Sequence, residues 1–269
     1  MDVHWIRFTM LNNKLIHQDE FRLRVLLTNK CDKNCDFCLN DFQPKCPLYF
    51  ADMIDVTDCI RAYGQFMRSI NETSIVTFSG GEPGIYPHLE AVLANARYRC
   101  DIVKVVTNGS AFYHDSKYVD HWNIHVTDRV PLSPYRNHVD NITIQIVVTE
   151  DMTYEDLFPL VDYYHSAGFL IKLFSEFNSK HQQKIENLIL EIYELYDREK
   201  ICGRFTGVQV NRGHACENCK MKCVTLKALW YFPDGSSSTC PQGRGEMYDD
   251  DCWDETVEKA YYAHKVKGS

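Results

Sequence analysis

The sequence predicts a parallel α/β protein of six β–α units, followed by a small cysteine-rich region. Three observations lead there. Short apolar runs alternate with helical repeats over roughly residues 21–199. Three polar motifs each follow one of the first three predicted strands. The alternation then stops after Lys200, where cysteines crowd together.

The elements follow in order. Residues 21–28, FRLRVLLT, read as a strand. Ile60, Tyr63, Met67 and Ile70 recur at helical spacing behind Asp55 and Asp58, which can cap the start. Residues 74–78 form the second strand, and Leu89, Val92, Leu93 and Ala96 line the next helix. Residues 102–107 are rich in branched side chains, as expected when both faces of a strand are buried. Residues 122–127 give a short fourth strand. The connection at 128–141 has two prolines and is long for a compact domain, which hints at function. Residues 142–149 are the fifth strand. Leu157, Leu160, Val161 and Tyr164 mark a helix capped by Thr153, with Pro159 awkward inside it. Residues 169–174 are the sixth strand, and Ile185, Leu188, Ile189, Ile192 and Tyr196 form the clearest helix.

Strands alternating with helices imply parallel β–α units, whose ligands gather beyond the carboxyl ends of the strands. Cys31, Cys35 and Cys38 follow strand one, the turn Ser79-Gly80-Gly81-Glu82-Pro83 follows strand two, and Thr107-Asn108-Gly109 follows strand three. The three motifs are therefore expected on one rim.

Composition narrows the class. The chain has 269 residues, enough for one large domain or a domain with an appendix. Its 45% hydrophobic and 25% charged content is that of a globular protein, not a disordered one. No apolar run reaches the ~20 residues needed to span a bilayer. The N-terminus lacks the basic region and apolar core of a signal peptide, so a cytoplasmic protein with no membrane contact is expected. The net charge of -8 argues against non-specific nucleic-acid binding. Twelve cysteines are the anomaly, and in a reducing compartment clustered cysteines read as metal ligands.

Cys31-x3-Cys35-x2-Cys38 supplies three thiolates from a short loop, as an iron-sulfur cluster requires. Three protein ligands leave one iron open, and Cys46, after a proline, is out of register. Structural zinc, the competing reading, usually takes four ligands with paired Cys-x2-Cys spacing.

This triad after a first strand, with Gly80-Gly81-Glu82-Pro83 after a second and the aromatic Phe37 before the last cysteine, resembles the radical S-adenosylmethionine superfamily over roughly residues 21–199. The resemblance implies a partial (β/α)6 TIM-like barrel. It implies a 4Fe-4S cluster on Cys31, Cys35 and Cys38 whose open iron is chelated by S-adenosylmethionine. It implies reductive cleavage of that cofactor to a 5'-deoxyadenosyl radical, which takes a hydrogen atom from the substrate. Glu82 and its neighbouring backbone would then bind the methionine amino group, with Gly80 and Gly81 admitting the backbone closely and Pro83 in the same cofactor-binding turn. Phe37 would lie near the adenine. Thr107 and Asn108 are candidates for ribose or sulfonium contacts, against the plain alternative of a strand-ending turn.

A second group follows. Cys216-x2-Cys219-x3-Cys223 precedes Cys240, with Pro233-Asp234-Gly235 as a hairpin turn between the last two. This resembles the auxiliary-cluster extension called SPASM or twitch, and implies a second iron-sulfur cluster on Cys216, Cys219, Cys223 and Cys240. Cys202 or Cys252 could replace one of them, and structural zinc is the alternative. The resulting division is an N-terminal extension at 1–20, a barrel at 21–200, the extension at 201–255 and a tail at 256–269.

Of the remaining residues, His125, Arg129, Gln145 and Glu176 could face a substrate chamber, where Arg136, Arg204 and Arg212 are further candidates. Residues 249–251 read as a solvated acidic run. Cys59 and Cys100 read as buried and inert. Tyr261 and Tyr262 are expected to pack the tail onto the barrel. The expected activity is radical modification of a peptide substrate by crosslinking, epimerisation or oxidation, with a flavodoxin- or ferredoxin-type electron donor. The alternatives are a small-metabolite substrate and a non-catalytic zinc or cluster scaffold. The ~20 residues before strand one are too few for a separate leader-binding domain.

Overall fold

The computed structural model describes residues 21–38, 50–109, 117–176, 179–196, 201–204, 228–240, 247–248 and 252–267. All six expected strands are present: β1 (Arg22–Leu26), β2 (Ile75–Ser79), β3 (Ile102–Thr107), β4 (His121–His125), β5 (Ile142–Val148) and β6 (Leu170–Ser175). The expected helices are α1 (Met53–Ser69), α2 (Leu89–Arg99), α3 (Tyr154–Ser166) and α4 (Gln182–Leu195). Four strands and a helix follow: β7 (Ile201–Arg204), β8 (Ala228–Tyr231), β9 (Ser237–Ser238), β10 (Met247–Tyr248) and α5 (Trp253–Lys267).

The strands form one open sheet in the order β10-β9-β8-β1-β2-β3-β4-β5-β6-β7. Every pairing from β8 through β7 is parallel, while β9 and β10 pair antiparallel. The result is a mostly parallel partial barrel that does not close. None of the described helices is long and apolar enough to cross a membrane.

Strand alternation sends two sets of side chains to opposite faces. Val25, Phe78, Val105, Ile124, Ile144 and Leu173 join a continuous core with the buried faces of α1 to α4. Tyr63 of α1 is wholly buried there; its phenol donates to Phe21 O at 2.8 Å and accepts from Ile75 N at 3.0 Å. One side chain thus ties α1 to the starts of β1 and β2. Cys59 and Cys100 are buried as expected, and burial pushes the Cys100 thiol up to about 12.

Several expectations change. Asp52, not Asp55 or Asp58, caps α1, its Oδ1 accepting from Ile54 N and Asp55 N. β3 is not apolar on both faces, because Lys104 occupies the inner one. Pro159 lies inside α3, which still starts at the expected place. There Asp156 accepts from the Thr153 amide and hydroxyl at 3.0 and 2.8 Å.

The largest correction concerns the region after residue 200. Its hairpin is present, with Gly235 in the left-handed region and Phe232 N donating to Ser236 O at 2.8 Å. That hairpin is no separate unit, because β8 extends the main sheet beside β1. α5 runs across residues 255 and 256, where the extension was expected to end and the tail to begin, and packs on α1. Tyr261 is buried as expected, donating to Glu72 Oε1 at 2.7 Å, whereas Tyr262 is half exposed.

Asp55 is freed from capping and joins these parts. Its two oxygens accept from Tyr231 Oη of β8 and Trp253 Nε1 of α5, both at 2.7 Å. The carboxylate and the burial together drive the Tyr231 phenol far above its ordinary range. Replacing Asp55 by Ala leaves two buried donors without an acceptor. The expected loss is about 3 kcal/mol of stability, read as a lowered urea midpoint.

Candidate active site

The cysteine loop after β1 is held by the turn after β2. Gly81 N donates to Thr28 O at 2.7 Å and Glu82 N to Lys30 O at 2.8 Å. The two backbones approach so closely that a Cβ at Gly81 would lie 1.7 Å from Lys30 O. Gly80 has φ +138°, which only glycine adopts without strain. The expectation was that these glycines admit the cofactor. In the structure they admit the protein's own cysteine loop.

Glu82 has a task different from the expected one. It is 0% exposed. Its Oε1 accepts from Thr107 Oγ1 at 2.6 Å and Gly84 N at 2.9 Å, and its Oε2 accepts from Asn108 N at 2.7 Å. Burial raises its pKa, and these three donors oppose the rise without cancelling it. The carboxylate therefore ties the ends of β2 and β3 together. Thr107 is likewise buried, donating to Glu82 while accepting from Gly109 N at 3.0 Å. Pro83 is buried and starts a short 3-10 turn.

Asn108, by contrast, reaches the cysteine loop. Its Nδ2 donates to Asp32 Oδ1 at 2.6 Å and to Cys31 Sγ at 3.6 Å. Lys33 N also donates to Cys31 Sγ, at 3.4 Å, and Lys33 Nζ to Asn108 O at 3.2 Å. Cys31 is exposed, while Cys35 and Cys38 are half-buried and joined by a Cys38 N to Cys35 O bond of 2.9 Å. Burial raises the Cys35 thiol, and the neighbouring Cys31 adds to the effect. Three thiols on one loop, one of them already accepting two N–H donors, are the donor set a cluster with one open iron needs. Among the described residues no three His, Cys, Asp or Glu side chains are gathered tightly enough to hold a single metal ion.

Phe37 faces into the barrel, edge-on to His125 with ring centroids 5.4 Å apart. His125, at the end of β4, has a buried Nε2 with no hydrogen-bond partner, and burial holds its pKa down to about 4. Gln145 lies beside it in register and donates to Asn123 Oδ1 at 3.1 Å. Both lie on the face of the sheet turned away from the helices. Glu176 lies just past β6, its Oε2 accepting from Glu150 N at 3.3 Å. Arg129 does not face the chamber: it donates to Pro159 O at 2.9 Å and covers the Tyr163 ring.

Cys240 follows β9 and is half-buried, while Cys252 is exposed before α5. Cys216, Cys219 and Cys223 lie outside the described residues, as do Cys46, Arg212 and residues 249–251. The side chains of Arg136, Cys202 and Arg204 are also outside them.

The sequence reading missed the polar inner face below the rim. Arg24, Thr77, Lys104 and His121 are successive register partners across β1 to β4. His121 is buried beneath them, its Nε2 2.8 Å from Thr143 Oγ1. The signal was the polar residue at every second position of RLRVL and HWNIH.

Comparison with known proteins supports the fold. Streptococcus suis SuiB bound to S-adenosylmethionine matches 91% of this chain at TM-score 0.61 and 13% identity; the match spans 65% of that chain, just under two thirds. The same enzyme bound to its precursor peptide SuiA matches 94% of this chain and 67% of that one, at TM-score 0.61 and 12% identity. Native anSMEcpe with bound AdoMet matches 92% of this chain and 81% of its own, at TM-score 0.62 and 11% identity. No family model matches, and no curated protein matches by sequence. Structures of these proteins hold bound S-adenosylmethionine, and the fold of this chain is theirs.

Two outcomes follow. Gly81→Ala forces the turn off the cysteine loop. It should cost about 3 kcal/mol or more and cut iron incorporation, measured by urea titration and iron analysis. His121 has its pKa lowered from 6.5 to about 4, first by burial and then by Lys104 and Lys172. Unfolding therefore binds a proton, so stability is full above about pH 6.5 and falls by about 3 kcal/mol towards pH 4. Urea midpoints against pH should lose about half of the slope over that window in His121→Asn, since His125, lowered to about 4 as well, keeps its own share.

Proposed function

We propose that this chain is a radical S-adenosylmethionine enzyme. One observation supports this most: the cysteine loop is fastened by backbone to the Gly80–Pro83 turn, and by Asn108 to the end of β3, on the rim of this fold. In this reading Cys31, Cys35 and Cys38 ligate three irons of a 4Fe-4S cluster. When bound, the reduced cluster supplies the electron that cleaves S-adenosylmethionine into methionine and a 5'-deoxyadenosyl radical.

The chain's own groups prepare that site. Asn108 and the Lys33 amide hydrogen-bond Cys31 and hold its sulfur in place on the loop. The half-buried backbone of Gly80 and Gly81 offers polar groups to the methionine end, since the Glu82 carboxylate is fully used. Phe37 presents an apolar face for adenine, and His125 a free nitrogen beside it.

The substrate proposed is a peptide, modified by crosslinking, epimerisation or oxidation, and the SuiB–SuiA complex on this fold supports that choice. Cys216, Cys219, Cys223 and Cys240 would hold an auxiliary iron-sulfur cluster beside the hairpin. A flavodoxin- or ferredoxin-type protein would supply electrons in the cytoplasm, where thiols stay reduced.

The test is anaerobic reconstitution with iron and sulfide, then addition of dithionite and S-adenosylmethionine. The expected product is 5'-deoxyadenosine, lost when Cys31, Cys35 or Cys38 becomes Ala. Replacing Cys216, Cys219 and Cys223 should remove about half of the bound iron. Zinc as the only bound metal, with no 5'-deoxyadenosine, would overturn the proposal.

A further inference from the structure

The face of the sheet turned away from the helices is strongly cationic, although the chain carries a net charge of -8. Strand alternation places Arg22 and Arg24 of β1, Lys104 of β3, His121 of β4 and Lys172 of β6 there. Register confirms the rows. Arg24 pairs with Thr77, Thr77 with Lys104, and Lys104 with His121, while His125, Gln145 and Lys172 form the row across β4 to β6. No residue of β1 to β6 on this face is Asp or Glu. Between the cations stand neutral polar groups: Thr77, Asn123, Thr143 and Gln145.

Two of the lysines act on the same neutral imidazole. Lys104 and Lys172 both disfavour protonation of the His121 ring that lies among them. Lys104 is only 9% exposed and His121 only 4%. The Nδ1 of His121 is buried without a hydrogen-bond partner, its other nitrogen being held by Thr143. Two of the cations lean on aromatic rings: Arg24 lies 5.0 Å from the Trp230 centroid, and Lys172 Nζ 5.1 Å from that of Phe174. Such stacking fixes the direction of a long cationic side chain. These two rows of one face thus hold several directed positive charges, neutral donors and an unused buried nitrogen.

Its depth matters. Lys104 stands three residues before the end of β3, and Lys172 three before the end of β6. At about 3.3 Å per residue the cationic layer lies about 10 Å below the rim that carries the cysteine loop.

We propose that Arg24, Lys104, His121 and Lys172 form an anion site that takes a phosphate or carboxylate group of the substrate. The substrate would stand with its charged end down the barrel and the carbon to be attacked near the rim. This rests on the reading of the inner face as the substrate chamber. It adds that the substrate is anionic, with its charge within about 10 Å of the reacting carbon.

The test is calorimetric titration of the reconstituted full chain at fixed ionic strength, before reductant or S-adenosylmethionine is added. Inorganic phosphate and glutarate are the probes. One of them should bind saturably with one equivalent, and Lys104→Met should weaken it about tenfold or more. Lys172→Gln, at a half-buried position where folding is less at risk, should do the same. Preference for phosphate points to a phosphorylated metabolite, and preference for glutarate to an acidic side chain or a carboxylated metabolite. Failure of both probes to saturate, or equal binding by both variants, overturns the inference. A chain that binds an anion in this way but never yields 5'-deoxyadenosine overturns the proposed activity and supports the anion site. A chain that cleaves the cofactor yet binds neither probe overturns the anion site alone.

Discussion

The close approach of two backbones, at Gly81 and Lys30, governs the rest of this site. Parallel strands leave their ends side by side but do not fix the loops that follow them. Here the Gly80–Pro83 turn supplies two amides to the carbonyls of Thr28 and Lys30. That contact exists only because neither glycine has a side chain. The loop that carries Cys31, Cys35 and Cys38 thereby inherits the rigidity of β1 and β2. A long cysteine loop without such a fastening would pay an entropic penalty each time its thiols converged.

Glu82 extends the same constraint to β3. A fully buried carboxylate is costly unless its lone pairs are satisfied. Thr107, Gly84 and Asn108 satisfy them, and each belongs to an element that must be in place for the site to exist. Asn108 then uses its side chain in the opposite direction, toward Asp32 and Cys31. Three strand ends, three motifs and one carboxylate therefore form a single hydrogen-bonded unit. The charge of Glu82 is directed into the protein, which leaves the open side of the rim to the thiols, the glycine backbone and Phe37.

Much of this was legible in the sequence because it depends on local pattern. Six strands lay within a residue or two of the branched runs, and four helices over the helical repeats, although α1 starts at Met53, ahead of the expected caps. The three motifs met on one rim because parallel topology requires it. What was not legible depends on pairing across long separations. β8 reads as one arm of an isolated hairpin, yet it lies beside β1, more than two hundred residues earlier in the chain. Asp55 reads as a helix cap because its later partners, Tyr231 and Trp253, cannot be seen from its neighbours. Glu82 reads as a ligand because sequence does not report burial. Lys104 was lost in an apolar run, although its alternation with Val103 and Val105 already marked the opposite face.

The two faces of the sheet carry different side chains, the helices covering one while Arg24, Lys104, His121 and Lys172 stand on the other. The outer face is apolar and gives the folding energy, through one continuous core against the helices. The inner face is thus free of that duty and can carry lysine, arginine and histidine at a depth where few domains tolerate them. β8 makes this possible on one side. Its Trp230 covers Arg24 and packs with Leu26 and Phe232, so the edge of β1 is shielded before the cationic layer begins. The Asp55 contacts to Tyr231 and Trp253 hold β8 there from the outer side. The region that looked like an appendix therefore extends the main sheet beside β1 and is anchored on α1 by the Asp55 carboxylate.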